Sequence, residues 1–119
     1  MKPFVLLVIA ICFSVTGETL LKMGMNEIGV MNLSNLGPTL LRCASNPKII
    51  LGFTGFGVGA IFWLSVISQA DLSWAYPMLS LGYILVLLAS AFILREEVTT
   101  IRWVGAVVIC LGVILISRS

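Results

Sequence analysis

The sequence has few charged residues and no histidine. Only 10% of its 119 residues are charged, whereas a soluble domain has about 25%. The net charge of +2 is too small to indicate nucleic acid as a partner. No GxxxxGK or CxxC motif is present, and Cys12, Cys43 and Cys110 lie far apart. We therefore expect free thiols, no metal and no cofactor. An enzyme is not expected either, because no nucleophile–base set is visible.

Long hydrophobic runs fill most of the chain. Hydrophobic residues make up 60% of it, and the mean hydropathy is +1.15. Crossing the roughly 30 Å hydrocarbon layer takes about 20 apolar residues as a helix, and helices satisfy their own backbone hydrogen bonds in lipid. Segments of about 3–22, 48–69, 73–94 and 100–117 meet this requirement. We predict an all-α membrane protein, a single four-helix transmembrane domain over 1–119. The first segment is interpreted as a span and not a cleaved signal peptide.

The connections between these spans differ in length. The turn at 69–73 is very short and predicts an antiparallel hairpin, while the loop at 23–47 is long. Within that loop, residues 38–44 could form a short helix on the membrane surface. Pro77 falls in the first turns of span three, where its missing N–H costs little. The termini and the second loop carry two basic residues, whereas the first and third loops carry five. This difference favours a cytoplasmic location for the first and third loops, with both termini outside.

Glycine spacing predicts close helix packing in spans two and four. Gly55 and Gly59 form a small-xxx-small pair, and Gly105 and Gly112 lie on one stripe. Both pairs could pack within one subunit or between subunits. Because four short helices hardly enclose a polar pathway, we expect a dimer, with span four as its contact.

One polar stripe crosses the first span. Counting about 1.5 Å per residue, Glu18 lies past the midplane, one turn after Ser14 and one turn before Lys22. In one interpretation Glu18 rests on Lys22 and both reach water. In the other, which we favour because span one has no other strong polar anchor, the stripe faces a cavity and binds a cation or a proton.

Three further hydroxyls and a tryptophan are candidate binding residues. Tyr76, Ser80 and Tyr83 can share a face of span three and offer hydroxyls to a phosphate or sugar. The alternatives are interfacial anchoring for Tyr76 and a backbone-bonded Ser80. Trp63, deep in span two, is expected to pack in the core, with stacking on a substrate as the alternative.

Several motifs resemble known transporters. The stretch Gly17-Glu-Thr-Leu-Leu-Lys22 resembles the end of the first helix in the small multidrug resistance transporters. The ending from Trp103 to Ile116 is similar to EamA-type domains of the drug/metabolite transporter superfamily. The stretch Ala75-Tyr-Pro-Met-Leu-Ser-Leu81 is similar to the third helix of the subunits that flip aminoarabinose-phosphoundecaprenol, in which a glutamate matching Glu96 follows.

The chain departs from both groups at the polar stripe. Ser14 stands where the multidrug exporters have their proton-exchanging glutamate, and Glu18 stands where the flippase subunits have a glutamine. The resemblance still implies a multi-pass protein of the bacterial inner membrane that flips a polyprenyl-phosphate-linked sugar or amino sugar by alternating access. It implies a homodimer or a heterodimer with a similar small subunit. Lys22 would bind the phosphate and Glu18 the amine.

Two other functions and three peripheral roles stay open. The chain could be a proton-coupled exporter of small cationic compounds, or a non-transporting subunit that stabilises a partner. Glu96 is either a gating or structural contact or part of a solvated loop, and Pro77 belongs to the same gating or structural group. Arg42 and Lys48 could attract phosphates of the membrane lipids.

Overall fold

The protein is a bundle of helices. A computed structural model describes residues 2–119, and four segments of that part are long and apolar enough to cross a membrane. This confirms the predicted all-α fold with four transmembrane helices. The helices are α1 (Pro3–Ile28), α2 (Leu36–Ser45), α3 (Pro47–Gln69), α4 (Leu72–Met78), α5 (Leu81–Phe92) and α6 (Thr100–Ser117).

Helix α1 is longer than the expected span 3–22. It continues through Lys22 to Ile28 and ends at Gly29, whose φ of +107° suits glycine. A short 3₁₀ turn capped by the Asn32 side chain leads into α2. Helix α2 occupies the place of the expected short helix at 38–44, and it is longer at both ends.

The third span is not continuous, in contrast to the single helix expected over 73–94. Leu79 and Ser80 separate α4 from α5. Pro77 lies inside α4, so it has no N–H to donate to the carbonyl one turn earlier. The hydrogen bonds that follow join residues three apart instead of four: the N–H of Ser80 donates to the Pro77 carbonyl, and that of Tyr83 to the Ser80 carbonyl. The proline thus weakens the turn that precedes it, and the helix ends one residue after it.

Helices α1 and α3 pack backbone to backbone. A Cβ added to Gly17 would lie 2.6 Å from the carbonyl oxygen of Gly52 and 2.7 Å from the backbone nitrogen of Phe56. A Cβ on Gly59 would lie 2.8 Å from Oγ of Ser14. Gly52, Gly55 and Gly59 of α3 thus pack against α1 within the chain, in the manner of small residues at membrane helix contacts.

Helix α6 packs against one side of α4 and α5, and most of the surface of α6 itself is exposed. Only Ala106 and Val113 of this helix are buried. A Cβ on Gly105 or Gly112 would meet nothing within 4 Å. The glycine stripe of α6 therefore contacts no other part of the described chain, unlike Gly55 and Gly59 of α3.

Candidate functional site

A partly open cavity of about 600 Å³ lies between α1, α3, α4 and α5. Its polar and aromatic lining comes from Ser14, Glu18, Trp63, Tyr76 and Tyr83. The remaining wall is apolar and consists of Ala10, Ile11, Val15, Phe56, Ala60, Leu79, Gly82 and Val86. A mostly apolar cavity with a few convergent polar groups is typical of a small-molecule site.

Glu18 reaches this cavity because of its position on α1. It follows Gly17, which lets α3 approach closely, and its side chain is exposed in the single chain. Ser14, one turn earlier, lines the same wall. Within residues 2–119, no ion pair joins Glu18 to Lys22. The arrangement in which Glu18 rests on Lys22 is therefore not the one present.

Aromatic side chains from α3 and α4 line part of the cavity. The rings of Trp63 and Tyr76 meet edge to face, with centroids 6.3 Å apart. Trp63 also packs against the hydrophobic core of the bundle. Trp63 therefore both packs on the core, as expected, and lines the cavity. Tyr83, on α5, lines the cavity alongside these rings.

Two other expected site residues lie outside the cavity lining. Ser80 sits in the turn between α4 and α5, where its backbone bonds to Pro77 and Tyr83. Lys22 lies one turn beyond Glu18, and its Nζ is 3.7 Å from Oε2 of Glu96. Glu96 therefore pairs with Lys22 of α1, and no hydrogen bond or ion pair joins its side chain to α6 within residues 2–119. Both side chains of this pair are partly exposed.

A second charged cluster joins the end of α1 to the start of α3. Lys48 Nζ pairs with Oε1 of Glu27, and Nδ2 of Asn46 donates to Oε2 of the same carboxylate at 3.1 Å. The Asn46 side chain also accepts from the backbone N–H of Lys48. Sequence reasoning missed this cluster. The Asn-Pro pair at 46–47 was the available signal, since it is typical of a helix start.

These features define a multi-pass helical membrane protein with a mostly apolar cavity and one carboxylate in its wall. The EamA-like transporter family matches residues 44–118, which is more than half of the chain. The chain therefore belongs to the EamA-like transporter family, as its resemblance to EamA-type domains predicted.

Curated relatives carry more specific names. The chain is 42% identical over 71 residues to a probable 4-amino-4-deoxy-L-arabinose-phosphoundecaprenol flippase subunit of Proteus mirabilis, covering 60% of this chain and 63% of that protein. It is 37% identical over 82 residues to the subunit of that name from Serratia proteamaculans, covering 69% and 71%. The match to the Pseudomonas fluorescens protein of that name is 35% identical over 57% and 60%.

The matched regions thus span about three fifths to seven tenths of these relatives. No solved structure gives a significant match to the chain.

Proposed function

We propose that this protein is a subunit of a bacterial inner-membrane transporter that flips a polyprenyl-phosphate-linked amino sugar. The observation that carries the proposal is the Glu18 carboxylate in the wall of an aromatic, mostly apolar cavity. The names of the relatives, which are flippase subunits for a phosphoundecaprenol-linked amino sugar, support the substrate class.

The cavity suits the head of such a lipid. A protonated amine binds Glu18 through a charge-assisted hydrogen bond, which is stronger than a neutral one. The rings of Trp63 and Tyr76 offer a flat surface to the sugar and favourable contact to the cation. Hydroxyls of Ser14, Tyr76 and Tyr83 are the donors and acceptors left for the sugar hydroxyls. Ser80 is not part of the proposed site, because it lies outside the cavity.

The phosphate binds at Lys22 in this proposal. The distance of 3.7 Å from Lys22 to Glu96 exceeds the 2.7–2.9 Å of a strong charge-assisted hydrogen bond. Both side chains are also partly exposed, and exposed pairs of this kind contribute little. An incoming phosphate can therefore replace Glu96 at the ammonium group, so that Glu96 acts as a gate.

A second subunit completes the cavity, either another copy of this chain or a similar small protein. The cavity is partly open, and α6 contributes none of its lining. Helix α6 presents Gly105, Val108, Gly112 and Leu115 on one stripe, with Val108 and Leu115 exposed. This stripe is the proposed contact between subunits, because the open glycines let another helix approach closely.

Transport proceeds by alternating access in this proposal. Helices α1 to α5 rearrange around the paired α6 helices while the lipid tail stays in the bilayer. The first and third loops face the cytoplasm, as the basic residues indicate. The head then crosses from the side of Lys22 and Glu96 toward the opposite end of the cavity.

A proteoliposome assay tests the function. Purified protein should carry the polyprenyl-phosphate-linked amino sugar to the opposite leaflet, where added periodate, which cleaves neighbouring sugar hydroxyls whether or not the amine is free, detects it. The variant Glu18→Gln should still flip a lipid whose amine is formylated. It should lower flipping of the free amine about tenfold, the loss expected for a hydrogen bond to a charged group. Glu97→Gln, in the exposed loop, is the matched control.

A proton-coupled exporter of small cations is the second candidate, favoured by one observation. Glu18 reaches the cavity without an ion pair to Lys22, so it is available to exchange a proton for a cation. Glu18→Gln would then abolish all transport, because exchange needs a titratable group. If the purified protein moves cations against a proton gradient and leaves lipid-linked sugars in place, the flippase proposal is wrong. Retained biological function in the double variant Glu18→Gln, Lys22→Gln would instead indicate a non-transporting subunit.

A further inference from the structure

An apolar groove runs along the outside of the α1–α5 contact. It has a volume of about 400 Å³. Helix α1 contributes Cys12, Val15 and Thr16, and the other side consists of Leu85, Leu88, Ala89 and Phe92 of α5 and the following Ile93. None of these residues is charged, and the side chains of Phe92 and Ile93 are largely exposed.

The groove and the cavity share one wall. Val15 lines both hollows, and the side chains of Ile11 and Val15 contact α5 at Gly82. The contact line between α1 and α5 thus separates a polar-lined hollow inside the bundle from an apolar hollow outside it. A molecule with a polar head and an apolar tail fits this pair of hollows if its junction lies where they meet.

The Lys22–Glu96 pair stands at the end of this contact line. Lys22 lies six residues beyond Thr16 on α1, about 9 Å along the helix axis, and Glu96 follows Ile93 by three residues. Along both chain segments the pair therefore lies beyond the end of the groove that Thr16 and Ile93 mark. Another hollow also adjoins the cavity, at Tyr76, but its lining of Leu72, Ser73, Tyr76 and Pro77 contains no cation.

We infer that the groove between α1 and α5 holds the first isoprene units of a polyprenyl phosphate, with its phosphate at Lys22. The inference rests on the proposed function and adds the place of the lipid tail. One groove beside one cation matches a lipid with a single chain on its phosphate. A phospholipid has two chains on a glycerol, so it would place only one of them here.

Photocrosslinking in proteoliposomes tests the inference without any variant. The probe is a polyprenyl phosphate with a diazirine on its first isoprene units, and mass spectrometry locates the attachment. Crosslinks concentrated on Thr16, Leu88 and Ala89 are expected. An excess of unlabelled polyprenyl phosphate should remove them, and an equal excess of phosphatidylglycerol should not.

A matched pair of variants measures the tail contact. Leu88→Trp fills the groove, whereas Leu64→Trp makes the same change at an exposed position of α3 that lines neither hollow. Leu88→Trp should weaken binding of the polyprenyl phosphate about tenfold, the equivalent of roughly two methylene groups left unburied. Leu64→Trp should bind like the unmodified protein.

The outcomes separate this inference from the proposed function. Crosslinks scattered over α3 and α6, crosslinks at Leu72 to Pro77, or equal displacement by phosphatidylglycerol would overturn the groove assignment while flipping still occurs. Equal binding by the two tryptophan variants would overturn it too. A protein that neither binds the probe nor flips the lipid-linked sugar would refute both proposals.

Discussion

At the scale of single residues, the approach of α1 to α3 depends on glycine. The atoms nearest to a Cβ at Gly17 belong to the backbone of Gly52 and Phe56, and backbone cannot turn aside as a long side chain can. Residues 14 and 18, which flank this contact, both line the cavity. The position of the Glu18 carboxylate therefore depends on residue 17 being a glycine.

The variant Gly17→Ala should separate α1 from α3 and destabilise the protein. We expect a loss of about 1–3 kcal/mol, as for an extra methyl group in a closely packed site. Thermal unfolding of the protein in detergent measures it. Gly57→Ala, on α3, is the control, because a Cβ there meets nothing within 4 Å. Equal melting temperatures for the two variants would contradict this account of the contact.

At the scale of the helices, ends and breaks are set by a few polar or proline residues. Asn46 accepts from the backbone N–H of Lys48 at 2.9 Å and of Ile49 at 3.4 Å, and it donates to Glu27. It therefore caps α3 and joins it to the end of α1. Pro77, in contrast, removes a backbone bond inside a span.

Replacing Asn46 by alanine should remove both the cap and the link to Glu27. A lost N-cap costs about 1 kcal/mol, so the melting temperature should fall. Asn46→Asp retains the capping oxygen but sets a second carboxylate against Glu27, and it should fall between the alanine variant and the unmodified protein. If Asn46→Asp is instead less stable than Asn46→Ala, the interaction of residue 46 with Glu27 matters more for stability than the cap of α3.

Pro77→Ala should restore the hydrogen bond to the carbonyl of Ser73 and stiffen the helix on the α4 side of the break. We expect a higher melting temperature and slower flipping, because Tyr76 and Tyr83 are carried by different sides of the break. Pro47→Ala is the matched control, since Pro47 is at the first turn of α3, where no helical bond is missing. Unchanged flipping by Pro77→Ala would show that the break has no role in transport.

The four spans could be predicted from the sequence because a run of about 20 apolar residues is enough to identify a transmembrane helix. The end of α1 could not be predicted in this way, because the helix continues past Lys22 to Ile28, beyond the apolar run of the first span. Pro77 lies within the first two turns of α4, as expected, and the break at Leu79 was missed because no residue pattern marks the end of the helix there. The i, i+4 spacing of Glu18 and Lys22 left two arrangements open: an ion pair between them, or a polar stripe that faces a cavity. The partner of Lys22 lies 74 positions away, at Glu96, and no local pattern indicates so distant a contact.

At the scale of the whole molecule, the bundle is unevenly packed. Helices α1 and α3 share the closest contact, while α6 has a largely exposed surface with side chains such as Val107 and Leu111 about 60% exposed. The glycine stripe of α6 is open. This is the surface on which we place the second subunit.

The double variant Gly105→Leu, Gly112→Leu should lower the dimer fraction if α6 is the contact, because the added side chains hold another helix away. Single-molecule photobleaching in vesicles counts the subunits. Gly57→Leu, equally open on α3, should leave the count unchanged. A monomeric unmodified protein, or a glycine double variant that dimerises normally, would remove α6 from this role.

The backbone contact of α1 with α3 also limits how the bundle can move. No side chain fits between the two helices at Gly17 and Gly52, so a movement of α1 away from α3 would give up their closest contact. In the proposed transport cycle, we therefore expect α1 and α3 to stay together and the segments on either side of Leu79 and Ser80 to move relative to them. Glu18 would then keep its place beside α3 while the rest of the cavity wall changes around it.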